Sequence, residues 1–206
     1  MAHRRRPVTA AFAMNTAVLA VEVVGGLKAS SLSLLLDGVH NLSDEVALGF
    51  LVLAYSLRAG LSGRFLQSAN LFNSLGLIAI CGLLAWQVLE RLAQPIPVLG
   101  AIPVAAGLLG AVGNWGVARA LRESAREDAA IRLAYVHNLG DVLLSLAPVL
   151  AGILVLATAR PVFDPLIALG IVGVILVTTI RSVLGSHREL LWPENVVCAH
   201  PESRSS

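Results

Sequence analysis

Charged residues are scarce in this chain. Of its 206 residues only 14% are Asp, Glu, Lys or Arg, while 56% are hydrophobic and the mean hydropathy is +0.78. An ordinary soluble domain is about a quarter charged and about half apolar. The shortage excludes a water-soluble globular chain and leaves a polytopic membrane protein, measured by how many apolar stretches of about 20 residues it can supply. Cysteine is scarcer still. Cys81 lies in an apolar stretch and Cys198 near the C-terminal end, which makes neither a disulfide framework nor a zinc-finger spacing. The positive excess is also small. Fifteen Lys and Arg against thirteen Asp and Glu give +2, and the arginines fall between apolar stretches, so there is no basic face for nucleic acid. A cleavable leader is not expected either. His3-Arg4-Arg5-Arg6 precedes an apolar run, but that run contains Asn15 and Glu22 and offers no clear cleavage site; a retained first transmembrane helix is expected.

What the chain has instead is six apolar segments, at 8–27, 33–57, 67–91, 98–119, 130–157 and 162–184. The expected fold is an all-α polytopic membrane protein with six transmembrane helices. Residues 1–7 are expected to form an N-terminal tail, 8–186 a six-helix transmembrane domain and 187–206 a short polar tail. The connections at 28–32, 58–65, 94–97, 119–128 and 160–161 hold prolines or charged residues. Most of these would not continue a helix through lipid. With the N-terminus in the cytoplasm, twelve Lys and Arg residues lie inside and three, Lys28, Arg91 and Arg160, lie outside. That asymmetry satisfies the positive-inside rule and places both termini in the cytoplasm.

One short string occurs twice: His40-Asn41-Leu42-Ser43-Asp44 in the second segment and His137-Asn138-Leu139-Gly140-Asp141 in the fifth. Residues four apart on a helix project from nearly the same face, so each histidine and its aspartate point into one space. A single such pair is common and is usually structural. Two copies near the middle of separate membrane segments are different, because ionisable groups at that depth are costly and mark function. Asp37 continues the stripe at the i, i+3, i+7 spacing of 37, 40 and 44, which makes it a pathway residue. Glu45 points elsewhere. Glu22 fits a pathway residue, a proton acceptor or a helix-packing bond, whereas Asn15, Asn70, Asn73 and Asn114 are expected to join helices.

Two imidazoles and two carboxylates, from His40, Asp44, His137 and Asp141, suit a tetrahedral Zn2+ site and accommodate Cd2+ or Co2+. Thiolates are absent from the set, which argues against copper(I), and the imidazoles argue against Mg2+ or Ca2+. Two aspartates neutralise a dication at membrane depth. Metal binding requires neutral histidine and ionised aspartate, so metal and protons compete. Sequence leaves open a transporter, a non-transporting membrane metal-binding or scaffold subunit, and a passive channel. It gives no paired-histidine motif with an intervening glutamate, so no intramembrane protease and no enzyme is expected.

The runs from Glu22 to Gly26, Ser30 to Asp37 and His40 to Asp44, with Glu90, Arg91, Pro95, Asn114, the stretch from Asp128 through Asp141 to Ser145, and Asp164-Pro165, together resemble the cation diffusion facilitator family. The resemblance covers about residues 10 to 192. It implies a six-helix, usually homodimeric transporter of the bacterial inner (plasma) membrane that exports Zn2+, and often related divalent ions, in exchange for protons. Zn2+ is then cargo rather than cofactor, and the transport site of helices 2 and 5 falls on His40, Asp44, His137 and Asp141. The histidine in the second-helix pair resembles the zinc-preferring members. Departures lie in the 119–128 loop, which lacks the histidine cluster of some eukaryotic members, and beyond Leu190-Leu191-Trp192-Pro193-Glu194. There the metallochaperone-like domain of most members would begin, and none is expected. Cys198 and His200 are a weak candidate metal pair in the tail.

Overall fold

The computed structural model describes residues 2–56 and 63–185. Seven α-helices account for nearly all of this: α1 (Ala2–Ala29), α2 (Leu32–Ser56), α3 (Gly63–Ala93), α4 (Ala101–Leu121), α5 (Ala129–Leu144), α6 (Leu146–Thr158) and α7 (Phe163–Gly185). Among the described residues there is no strand. In a bilayer a helix satisfies every backbone group within its own segment, and these apolar sequences take that solution.

Five stretches are long and apolar enough to cross a membrane by length and composition: Arg6–Ala29, Leu71–Ala93, Ala101–Leu121, Ile131–Thr158 and Phe163–Arg181. The chain is thus an all-α membrane protein, although α2, the second of the six expected segments, falls outside this set. Asp37, His40, Asp44 and Glu45 dilute its apolar character. It packs against α1, α3, α4, α6 and α7, while Leu42 and Leu53 keep an outward apolar face. Two further differences from the sequence reading concern boundaries. α1 already begins at Ala2, so the expected tail at 1–7 is largely helical. The fifth segment is interrupted at Ser145. Pro148, three residues on, has no N–H to offer the Leu144 carbonyl, and the helix breaks into α5 and α6 there. The Cys198 and His200 tail and Arg58 lie outside the described residues.

The ends of the helices are closed by specific bonds. α1 stops in a Schellman motif: Ser31 N–H donates to Gly26 O at 3.0 Å and Ser30 N–H to Leu27 O at 3.3 Å, with Ser30 in the left-handed region at φ 55°. The Arg91 guanidinium at the end of α3 donates to the Ser30 carbonyl. Asp164, fully buried in the first turn of α7, accepts from the Ser31 and Ser33 hydroxyls, both at 2.6 Å, and from Leu32 N–H at 2.7 Å. It is an N-cap for α2 supplied by another helix. At the start of α5, Asp128 Oδ1 accepts from Ile131 N–H at 3.2 Å, a conventional cap three residues on.

Two apolar clusters flank the polar middle of α2. One gathers Val8, Ala11, Leu48, Leu51, Val117, Leu121, Ala125 and Ile131; the other joins α2, α3 and α7 through Leu32, Leu36, Leu77, Cys81, Val88, Ala168, Ile171, Val172 and Ile175. Leu36 and Leu48 thus bracket residues 37–45. The outward surface is apolar as well, with Phe72, Leu83, Trp86, Leu143 and Leu184 among its most exposed side chains, which suits a hydrocarbon surround.

Candidate metal site between α2 and α5

The four residues of the doubled string meet. His40 Nε2 and Asp141 Oδ1 lie 3.0 Å apart, and His137 Nε2 and Asp44 Oδ1 2.8 Å. Each histidine therefore pairs with the aspartate of the other helix. Its own helix's aspartate stands further off, at 3.8 Å in both cases. The two rings face one another at 5.4 Å between centroids, tilted by 55°. One ligand atom from each residue can be chosen so that all four lie within 4.8 Å of one another. Side chains of His40, Asp44 and Asp141 are at most 10% exposed, but that of His137 is 49% exposed. Three of the four side chains are thus buried and the fourth, His137, is half-exposed. Asp44 Oδ2 and Asp141 Oδ2 are buried without a hydrogen-bond partner, so the set keeps spare acceptor capacity inside. Two nitrogens and two carboxylates at these separations form a donor set that a dication such as Zn2+ would take.

The remaining polar residues divide cleanly. Asn15 donates from Nδ2 to the Asn41 carbonyl at 3.0 Å and to Glu45 Oε2 at 2.9 Å, and Thr16 donates to Glu45 Oε1. Glu45 accordingly faces α1 and stays away from the cluster. Asn73 joins α3 to α2 through the Ser43 carbonyl at 3.0 Å, and Asn114 joins α4 to Ser145 Oγ at 3.1 Å. Both are the helix-joining bonds expected of them; the Asn70 side chain lies outside the described residues. Asp37 does not enter the four-residue cluster. It is 1% exposed, stands beside Glu22 and Ser145, and has no well-formed hydrogen bond to either oxygen. Glu22 is bonded through Oε2 to Asn41 Nδ2 at 2.6 Å.

Sequence reasoning missed Asn41 and Ser145 as participants. Asn41 sits inside the repeated string, at the position Asn138 takes in the second copy. That identity was a usable signal, yet the two do different work: Asn138 donates to the Ala134 carbonyl of its own helix, at 2.9 Å. Ser145 announces itself only through the helix break it accompanies.

Comparison with known proteins bears on the family. A family model described as "Cation efflux transmembrane domain" matches residues 8–191. The chain is 31% identical to "Zinc transporter ZitB" of Escherichia coli (strain K12), covering 88% of this chain and 61% of that protein. It is 28% identical to "Cadmium, cobalt and zinc/H(+)-K(+) antiporter" of Bacillus subtilis (strain 168), covering 90% and 63%. To "Metal cation efflux system protein CzcD" of Cupriavidus metallidurans it is 26% identical over 79% and 54%. The chain thus spans about three fifths of the length of the two more similar relatives. These relatives are transporters and not enzymes, and zinc is cargo to them, not a cofactor. A bundle of apolar helices, unlike a closed barrel, is the form that bacterial inner-membrane proteins take, in keeping with the location expected from the sequence. With a family match over 8–191, an apolar helical bundle and a doubled His-Asp pair meeting between two of its helices, the chain belongs to the cation efflux family of integral membrane proteins, the cation diffusion facilitators that its sequence resembles.

Proposed function

We propose that this protein exports Zn2+, and with it Cd2+ or Co2+, from the cytoplasm in exchange for protons, with His40, Asp44, His137 and Asp141 as the transport site. The observation that carries the reading is the crossed pairing. Each Nε2–H···O contact, at 3.0 and 2.8 Å, uses the nitrogen and the carboxylate oxygen that a metal would take. Proton and metal therefore exclude one another at the same atoms. Ligand atoms around tetrahedral zinc lie about 3.4 Å apart, given bonds of about 2.0–2.2 Å, and the pair distances of 2.8 to 3.8 Å bracket that value. Zn2+ entering past His137 displaces the protons; when the site faces the other side, protons return to imidazole and carboxylate and release the metal. Both aspartates balance the ion's charge while it is inside the bilayer.

The chain then crosses the membrane six times with both termini in the cytoplasm, α5 and α6 acting as one interrupted span, and works as a homodimer joined through its helices. The name of the Escherichia coli relative supports the zinc assignment, and that of the Bacillus relative supports antiport with protons, to which it adds potassium.

The test is uptake into everted vesicles or proteoliposomes across a panel of Zn2+, Cd2+, Co2+ and Mn2+, with a pH gradient imposed and then dissipated. Zn2+ flux that collapses with the gradient and is lost in Asp44→Ala is the expected result. Binding without flux would favour a scaffold subunit, and flux indifferent to the gradient a passive channel. Unchanged transport in Asp44→Ala would sink the site.

A further inference from the structure

Beyond the His-Asp cluster, toward the Ser30–Ser31 turn, lies a second group of buried oxygens that the transport site does not use. Glu22 from α1, Asp37 and Asn41 from α2, Asn114 from α4 and Ser145 at the α5–α6 break are each 0 or 1% exposed. Two of them, Glu22 and Ser145, meet at Gly110. A side-chain methyl at Gly110 would overlap Glu22 Oε1 and approach Ser145 Oγ at 3.4 Å, so the absence of a side chain there is what seats the Glu22 carboxylate against α4. Ser145 Oγ accepts from Asn114 Nδ2 at 3.1 Å, and Glu22 Oε2 accepts from Asn41 Nδ2 at 2.6 Å. Asp37 stands beside both Glu22 and Ser145. Those bonds commit one N–H of each amide, while Glu22 Oε1, both oxygens of Asp37, and the amide oxygens of Asn41 and Asn114 remain buried without a well-formed hydrogen bond.

Unpartnered buried oxygens on three helices, three of them belonging to the two carboxylates, are a heavy cost in hydrocarbon. No lysine or arginine is among the buried residues of the described chain, and the nearest imidazole, His40, is engaged through Nε2 with Asp141 at 3.0 Å. Carboxylate, amide and hydroxyl oxygens without nitrogen or sulfur are the ligand set of hard cations, and two carboxylates match a double positive charge. Irregular backbone at an interrupted helix is where membrane proteins place such ligands.

We propose that Glu22, Asp37, Asn114 and Ser145 form a second cation site, made of oxygen ligands alone and selective for hard dications such as Mn2+ or Mg2+. Zn2+ binds it more weakly than the imidazole-containing cluster next to it. As a station on the cation's path it rests on the transport reading above; the binding of a dication does not.

Mn2+ is the probe, because its electron paramagnetic resonance spectrum reports binding and oxygen coordination directly. The purified full chain in nanodiscs is titrated as His40→Ala/His137→Ala, which removes the imidazoles, and then with Glu22→Gln/Asp37→Asn added. The expected result is about one Mn2+ per chain in the first variant, with affinity at least about 10-fold lower in the second. A parallel titration of the unmutated chain loaded with Zn2+ gives the same second Mn2+, and decides the matter if a variant fails to fold. Glu22→Gln alone should keep its Zn2+ affinity within about 3-fold, which certifies its fold. No Mn2+ bound to either the histidine-less variant or the Zn2+-loaded chain overturns the proposal. So does binding that survives Glu22→Gln/Asp37→Asn, and a failure of Zn2+ flux in vesicles leaves this outcome unaffected.

Discussion

The carboxylate of Asp164 caps a helix to which it does not belong: its Oδ2 accepts the Leu32 N–H at 2.7 Å, across 132 residues of sequence. The first turn of α7 thereby holds the first turn of α2, with the Ser31 and Ser33 hydroxyls each 2.6 Å from Oδ1. Replacing Asp164 with Ala strands these donors in a fully buried place. A cost of about 2–4 kcal/mol is expected, since leaving a buried donor unpaired costs about 1–3 kcal/mol and more when the lost partner is charged. Thermal unfolding of the variant in detergent is the measurement, and an unchanged midpoint would remove the cap from the account.

The crossed pairing makes the two aspartates equivalent, each 2.8 to 3.0 Å from the opposite histidine and 3.8 Å from its own. Asp44→Ala and Asp141→Ala are therefore expected to weaken Zn2+ binding alike. Loss of a mere supporting partner costs about 10–100-fold in metal affinity, and loss of a ligand should cost at least about 100-fold. Calorimetry on the purified protein checks this; a variant that keeps its affinity removes that residue from the ligand set.

Zinc affinity should rise with pH. Protons and metal compete for His40 and His137, whose contacting atoms are both Nε2, and free histidine loses its proton near pH 6.5. The sign follows directly: acid fills the nitrogens with protons and weakens metal binding, while alkali empties them and strengthens it. Titrations across neutral pH should show affinity climbing with pH, and a flat or falling profile would contradict the competition.

Gly152 and Gly173 lie on neighbouring helices but should respond differently to alanine. A methyl at Gly152 would overlap the Gly100 carbonyl oxygen and come within 3.1 Å of Val104 N, both backbone atoms, whereas one at Gly173 meets nothing within 4 Å. Backbone cannot rotate aside, so Gly152→Ala should destabilise by about 1–3 kcal/mol, as overpacking does. Gly173→Ala should be neutral or slightly stabilising, by up to about 1 kcal/mol. Unfolding midpoints of the two variants, measured side by side, decide it.

The candidate site was legible in sequence because its chemistry is local. His40 and Asp44, and again His137 and Asp141, are four apart, and helical geometry alone makes each a pair. Which residue pairs with which was not legible: the strongest contacts run between helices, 93 and 101 residues apart. The same holds for Asp164, recognisable as part of a Pro-flanked helix start but not as the partner of Leu32. The break at Ser145 was hidden because Pro148 sits in an otherwise uniform apolar run, and hydropathy does not register a missing N–H. α2 was read as a span like the others; how its polar middle is packed against its neighbours depends on contacts that no periodicity encodes.

The ties at the Ser30–Ser31 turn turn α2 into a lever. Arg91 holds the Ser30 carbonyl and Asp164 holds Leu32 N–H, so this end of the helix is the fulcrum. At about 1.5 Å per residue, Asp37 sits about 8 Å along the arm and Asp44 about 18 Å. A tilt of about 10° about Leu32 then carries Asp44 about 3 Å, enough to part it from His137, but Asp37 only about 1 Å. Such a rotation would open the His-Asp cluster while leaving Asp37, the member of the proposed oxygen site on α2, almost where it was.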